Sequence, residues 1–319
     1  MTVRITRRRR LRSVAGPAIS VRDLRMSYDG CEVVRGIDLE VATGEVLAFL
    51  GPNGAGKTTT VEILEGFRKR TGGEVAVLGV DPARADRAWR ARIGVVLQES
   101  EQDPDLTVRE TVGSYAGYYP DPRPVEETIA LVGLTEQSDQ RAKRLSGGQQ
   151  RRLDVALALI GDPDLLFLDE PTTGFDPGAR RDAWEVVGGL RELGKTIFLT
   201  THYMDEAQAL ADRVAVIVAG EIVAIGPPAE LGGRENAPAR IRFMLPEDVA
   251  LPPLATLAGE PERDGGHVEL RTHASREALH ELTGWALAEG HALTGLAVSL
   301  PSLEDVYLEL TARPGAVTR

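Results

Sequence analysis

The chain has 319 residues, 42% hydrophobic and 27% charged, which argues against overall disorder and for a soluble globular protein with one large domain and a smaller one. A net charge of −11 disfavours general nucleic-acid binding, and the single cysteine, Cys31, excludes an internal disulfide and a zinc-finger type of metal site while suiting a reducing cytoplasm. No apolar run is long enough to cross a bilayer, so a role at a membrane is expected only through a partner.

The first residues carry Arg4, Arg7, Arg8, Arg9, Arg10 and Arg12 with no apolar stretch behind them, unlike a secretory signal. Residues 1–17 read as a flexible basic tail or as a contact for acidic lipid headgroups. Strand-like patterns follow from Ala18 to about Val41, with Asp29-Gly30 as a hairpin turn, and suggest an antiparallel β layer. Residues 45–50 read as a buried strand, residues 51–59 as a glycine-rich loop and residues 58–67 as a helix. Short strands are expected at 74–79 and 92–97, the latter ending at Gln98.

Between residues 106 and 158 the apolar spacing turns helical, with helices expected at 108–118, 125–132 and 147–160, an insert of about 99–160 within an α/β domain. Strands at 165–169, 196–200 and 214–218 flank a helix at 178–193, and this alternation predicts a mostly parallel sheet covered on both faces. Gly226-Pro227-Pro228 breaks the pattern and residues 232–238 are rich in turn formers, so the large domain is set at 18–236. The remainder, 237–319, reads as a small α+β module: strands at 239–245, 267–272 and 293–300, and helices at 275–289 and 302–311.

Gly51-Pro52-Asn53-Gly54-Ala55-Gly56-Lys57-Thr58-Thr59 fills the template Gly-x-x-x-x-Gly-Lys-Ser/Thr between a strand and a helix. Its glycines let backbone amides wrap a phosphate chain, Lys57 neutralises it, and the helix N-terminus favours the anion. The chain is therefore expected to bind a nucleoside triphosphate. Asp169 and Glu170 end an apolar strand at the sheet edge where ligands of such sheets sit; one acid can support a metal on the phosphates and the next can orient water, or the two are only a solvated turn. Ser146 and Gln149 have capping-box spacing, so Leu145-Ser-Gly-Gly-Gln-Gln-Arg-Arg152 opens a helix whose amides, beside Gly147 and Gly148, form a second anion-binding terminus or simply a well-capped helix.

At this octapeptide the sequence resembles the ATP-binding cassette (ABC) ATPases, strongly over about residues 18–228. The resemblance implies a P-loop fold with a mostly parallel core sheet, an antiparallel β layer and a helical subdomain. It implies ATP and Mg²⁺ as cofactors and a head-to-tail dimer in which Ser146, Gly147, Gly148 and Gln149 of one copy face ATP held on the P-loop of the other. In the same register Tyr28 matches the aromatic that stacks on adenine, although a packing role is the alternative. Gln98 resembles the Q-loop glutamine, Gly174-Phe-Asp-Pro177, which contains Asp176, resembles the D-loop with phenylalanine where leucine is commoner, and His202 resembles the switch histidine. Thr58, Gln98 and Asp169 would surround magnesium, Glu170 would polarise water, and Lys57 and His202 would complete the catalytic set.

One cassette per chain and no long heptads resemble transporter subunits more than clamp or ribosomal members. A separately encoded permease is implied, docking near residues 99–119 with Tyr115, Tyr118 and Tyr119 as anchors or as packing residues. This would place the chain peripherally on the cytoplasmic face of the cell membrane. Residues 301–311 resemble the terminal helix of the daunorubicin/doxorubicin-resistance branch, which favours export of hydrophobic small molecules. Lipid or polysaccharide export, import, and a regulatory switch that transports nothing stand as alternatives.

Overall fold

The computed structural model describes residues 16–96 and 102–311; the arginine-rich segment before residue 16 and Gln98 lie outside the described residues. The chain divides into two compact units, one reaching Pro228 and the next beginning at Ala229. The first contains β1 (Ile19–Tyr28), β2 (Cys31–Val41), β3 (Val46–Leu50), α1 (Lys57–Leu64), β4 (Gly72–Val77), the single turn α2 (Arg87–Arg90), β5 (Ile93–Val96), α3 (Val108–Ala116), α4 (Val125–Leu131) and α5 (Gly147–Leu159). It continues with β6 (Leu165–Asp169), α6 (Pro177–Glu192), β7 (Thr196–Thr201), α7 (Met204–Leu210), β8 (Arg213–Val218) and β9 (Glu221–Gly226).

Six strands form the central sheet in the order β5-β6-β7-β3-β8-β9, parallel except for β9. Its five parallel strands are mostly apolar and buried because both faces are covered, whereas the edge strand β9 alternates exposed and half-buried residues. Leu165 and Phe167 of β6 point into a core shared with the antiparallel sheet β2-β1-β4, whereas Leu166 and Leu168 point into a core built with the helices. Phe198 sits between Phe49 and Phe167, with ring centroids 5.4 and 5.7 Å away. Each such fully buried ring contributes roughly 1.5–3 kcal/mol of transfer free energy.

The expected Asp29-Gly30 turn is present: φ of 48° and 85° give a type I′ hairpin that sets Tyr28 opposite Cys31. Ala219 and Gly220 repeat this geometry, at 49° and 86°, and turn the chain into β9. That strand escapes a sequence reading because alanine is a poor signal for left-handed backbone and because its short apolar run at 222–225 leads straight into the break at Gly226-Pro227-Pro228. Helix α1 is shorter than the 58–67 expected: Gly66, at φ 80°, ends it and leaves Phe67 exposed.

Gly73 has φ 82°, and a Cβ there would lie 2.2 Å from the Asp23 carbonyl oxygen, at the irregularity where β1 meets β4. Gly73→Ala is expected to lower stability by about 1–3 kcal/mol through strain and steric overlap, visible as a lower urea midpoint with an unchanged slope. An unchanged midpoint would show that the bulge relaxes freely.

The second unit contains β10 (Ala239–Met244), β11 (Glu262–Asp264), β12 (His267–Thr272), α8 (Ser275–Glu289), β13 (Thr294–Ser299) and α9 (Leu303–Thr311). Its antiparallel sheet runs β11-β12-β10-β13, and Ile241, Phe243, Val268 and Leu270 pack on Ala278 and Leu282 of α8. The unit begins ahead of the residue 237 expected from the sequence because the turn Leu231–Asn236 belongs to it. Gly232 lies against Val306 of α9, and Arg234 Nε donates to the Pro301 carbonyl at 2.9 Å.

Candidate functional site

The glycine loop follows β3 at the C-terminal edge of the parallel sheet. Gly51 is dictated by crowding, since a Cβ there would lie 2.4 Å from the Ile217 carbonyl oxygen. Gly56, at φ 100°, begins α1 in a left-handed conformation with no side-chain cap, so the amides of the first turn stay free of a competing side chain. Pro52, Asn53, Gly54 and Thr58 are exposed, Ala55 is buried and Thr59 is half-buried. Lys57 is buried, and its Nζ donates to the carbonyls of Gly51 at 2.7 Å and Pro52 at 3.2 Å. Burial pushes its pKa down, while the charges of Glu170 and Asp169 pull it back up.

Asp169 and Glu170 stand where β6 ends. The Thr200 hydroxyl of β7 donates to Asp169 Oδ1 and accepts from the Glu170 backbone amide at 3.1 Å. Glu170 itself has φ 43°, a strained conformation for a side-chain-bearing residue, held by that bond and by a second from its amide to the Thr200 carbonyl at 3.1 Å. Its Oε2 lies 3.2 Å from His202 Nδ1 and accepts from Thr173 Oγ1 at 3.1 Å. The structure thus brings Lys57, Asp169, Glu170 and His202 to one sheet edge, as paired acid and base groups beside a buried cation.

Ser146 and Gln149 form the capping box read from the sequence: the Ser146 amide donates to Gln149 Oε1 at 3.0 Å and the Gln149 amide to Ser146 Oγ at 3.3 Å. A Cβ on Gly147 would meet nothing within 4 Å, and one on Gly148 only Ala179 at 3.5 Å; neither glycine has the positive φ that requires one. Packing within the described chain does not call for these two glycines. Arg151 of α5, which sequence reading passed over, is buried and donates to the carbonyls of Asp169 at 2.8 Å and Pro171 at 3.2 Å, tying the Ser146 helix to the acidic strand end.

Asp176 caps α6, accepting from the amides of Gly178 at 2.8 Å and Ala179 at 3.0 Å, bonds that hold its pKa down. Tyr28 is half-buried at the end of β1. Its hydroxyl lies 3.5 Å from Thr59 Oγ1, and the Arg68 guanidinium covers its ring at 5.2 Å.

A groove beside α1 is lined by Glu65, Phe67, Tyr115 and Tyr119 among others. Burial, followed by the charges of Asp169 and Glu62, pushes the Glu65 carboxyl up to about 8. Relative to an unfolded value near 4.5, the folded protein must take up a proton, so the stabilising difference present below pH 4.5 is lost as pH rises toward 8. Glu65→Gln is expected to raise the melting temperature, and by more at pH 8 than at pH 5. An equal gain at both would place the ionisation elsewhere.

A parallel sheet that delivers a glycine loop, a buried lysine and two acids to one edge defines a P-loop nucleotide-binding protein. Residues 34–173 match the ABC transporter family, and residues 239–302 match the ABC transporter domain-containing protein-like, C-terminal domain. Nod factor export ATP-binding protein I of Paraburkholderia xenovorans (strain LB400) is 38% identical, over 93% of this chain and 97% of that protein. Daunorubicin resistance ATP-binding protein DrrA2 of Streptomyces coeruleorubidus is 37% identical, over 93% and 95%. Among solved structures, an ATP-binding cassette of an ABC transporter in its ADP conformation has a TM-score of 0.60 at 25% identity, over 67% of this chain and 92% of that one. The chain belongs to the ABC transporter ATP-binding proteins, the ATPase subunits of these transporters.

Proposed function

We propose that this chain powers export through a separate permease by binding ATP between two copies of itself. The observation that carries this reading is the convergence of Lys57, Asp169, Glu170 and the Glu170–His202 pair at one sheet edge. The relatives named for Nod factor export and daunorubicin resistance support export, and the likeness of residues 301–311 to the drug-resistance branch favours a hydrophobic small molecule as cargo.

Residues 51–59 wrap the triphosphate, Lys57 neutralises it and Tyr28 carries the base. Ser146, Gly147, Gly148 and Gln149 of the second copy close on the γ-phosphate, which accounts for glycines that nothing within the described chain requires. Asp176 stands at the seam of the two copies. Glu170 polarises the attacking water and His202 steadies the transferring phosphoryl group, so that catalysis is mostly positioning and charge stabilisation.

Magnesium fits this edge. The exposed Thr58 hydroxyl and the Asp169 carboxylate at the end of β6 supply hard oxygen donors, and Mg²⁺ characteristically takes one or two protein oxygens plus phosphate and water. Thr58 and Asp169, with Gln98, would hold it, and it would neutralise charge developing on the phosphates.

Among the described residues no helix is long and apolar enough to cross a membrane. Docking of the permease on the groove of Glu65, Phe67, Tyr115 and Tyr119 would hold the chain at the cytoplasmic face. The test is reconstitution of wild-type chain in lipid vesicles with the polytopic product of the neighbouring reading frame. Daunorubicin is expected to be moved in an ATP-dependent way and to stimulate hydrolysis. Hydrolysis that no drug stimulates, but that a lipid or glycan does, would reassign the cargo; hydrolysis indifferent to the permease would point to a regulatory switch.

A further inference from the structure

Glu206 has 0% exposure, the lowest of any acid among the described residues, and none of the roles above uses it. It lies in the first turn of α7, shortly after His202. Its Oε1 accepts from Thr172 Oγ1 at 2.9 Å and from Trp184 Nε1 at 3.2 Å, the Thr201 hydroxyl is a further hydrogen-bonding neighbour, and Oε2 is buried with no partner among the described residues. Each contact belongs to a segment with a task. Thr172 lies between Glu170 and the Gly174–Asp176 segment, Trp184 stands on α6, which Asp176 caps, and Thr201 immediately precedes His202. Beside this node the Arg180 guanidinium of α6 stacks on Tyr203 at 4.1 Å and pairs with Asp205 at 3.3 Å, which fastens α6 to the same turn.

A buried carboxyl with an orphaned oxygen is a poor means of stabilising a fold; an apolar side chain of similar volume would usually do as well or better. What a carboxyl adds is direction, since one oxygen draws donors from separate segments to a single point. We propose that Glu206 is a positioning residue for ATP hydrolysis: by pinning Thr172, α6 and the Thr201–Tyr203 turn together, it sets the Glu170–His202 contact and holds the segment that meets the second copy. This rests on the roles given to Glu170 and His202 above. Glu206 touches neither, so its effect reaches the chemistry through backbone placement, where a small shift costs rate far more than binding.

Steady-state ATP hydrolysis by the full chain tests the proposal, with Glu206→Gln, Glu206→Leu, Thr172→Val and the double variant Thr172→Val/Glu206→Leu. Glu206→Gln keeps an acceptor oxygen and is expected to hold kcat within about threefold. Glu206→Leu and Thr172→Val are expected to lose about tenfold or more in kcat with KM for ATP within about twofold, and the double variant to be no worse than Glu206→Leu alone, as a shared pin requires. The proposal is overturned if Thr172→Val and Glu206→Leu keep kcat within about twofold, if Glu206→Gln loses as much as Glu206→Leu, or if kcat and ATP affinity fall together with the melting temperature. Should Glu206→Leu fail to fold, Thr172→Val, which removes one donor and leaves the carboxyl, decides by the same criterion. Wild-type turnover in Glu170→Gln would instead overturn the reading of the site, independently of Glu206.

Discussion

Replacing Glu170 with glutamine is expected to lower ATP turnover by about 10²–10⁴-fold while ATP binding persists and two chains accumulate as a nucleotide-bound dimer. The amide keeps the shape that Thr173 and the Thr200 bonds to the backbone require, so the strained turn at φ 43° should survive. What is lost is the negative charge 3.2 Å from His202 Nδ1, and with it the group that draws a proton from water. Phosphate release and size-exclusion chromatography with magnesium and ATP read the two halves of the prediction. Hydrolysis at the wild-type rate would remove the water-polarising role from Glu170, and hydrolysis lost without a dimer would detach the chemistry from assembly.

Lys57→Ala and Ser146→Arg are each expected to abolish turnover alone, and a mixture of the two chains is expected to recover it. Removing Lys57 takes the charge from the phosphate loop and leaves the Gly51 and Pro52 carbonyls without their donor, a loss of about 10²-fold in ATP affinity. Ser146→Arg breaks the capping box and fills the open space before Gly147. In a mixed head-to-tail dimer, one site takes its phosphate loop from the serine variant and its Ser146 helix from the lysine variant, and is whole. A mixture as inactive as its components would mean that each chain completes its own site, and the arrangement would have to be rebuilt within one chain.

Much of this site is legible along the chain because its parts are local. Gly51 to Thr59 is one continuous strand–loop–helix unit, although the crowding that requires Gly51 and Gly56 comes from the distant Ile217 and Val33 carbonyls, and Ser146 to Gln149 is a cap whose partners are three residues apart. The parallel sheet shows as apolar runs because strands covered on both faces have no polar side to display. Less legible were β9, an edge strand entered through an alanine in left-handed conformation, and the start of the second unit, set by the packing of Gly232 on Val306.

The sequence by itself determined that this protein grips a triphosphate and belongs among the cassettes, since those properties reside in short runs whose backbone geometry is intrinsic. Only the tertiary structure decided which side chains meet partners from distant runs: Glu170 the ring of His202, Arg151 the carbonyls of Asp169 and Pro171, Glu206 the side chains of Thr172 and Trp184. The reason is physical. A buried polar group must find a partner wherever the packed sheet and helices bring one, and spacing along the chain carries no record of that choice.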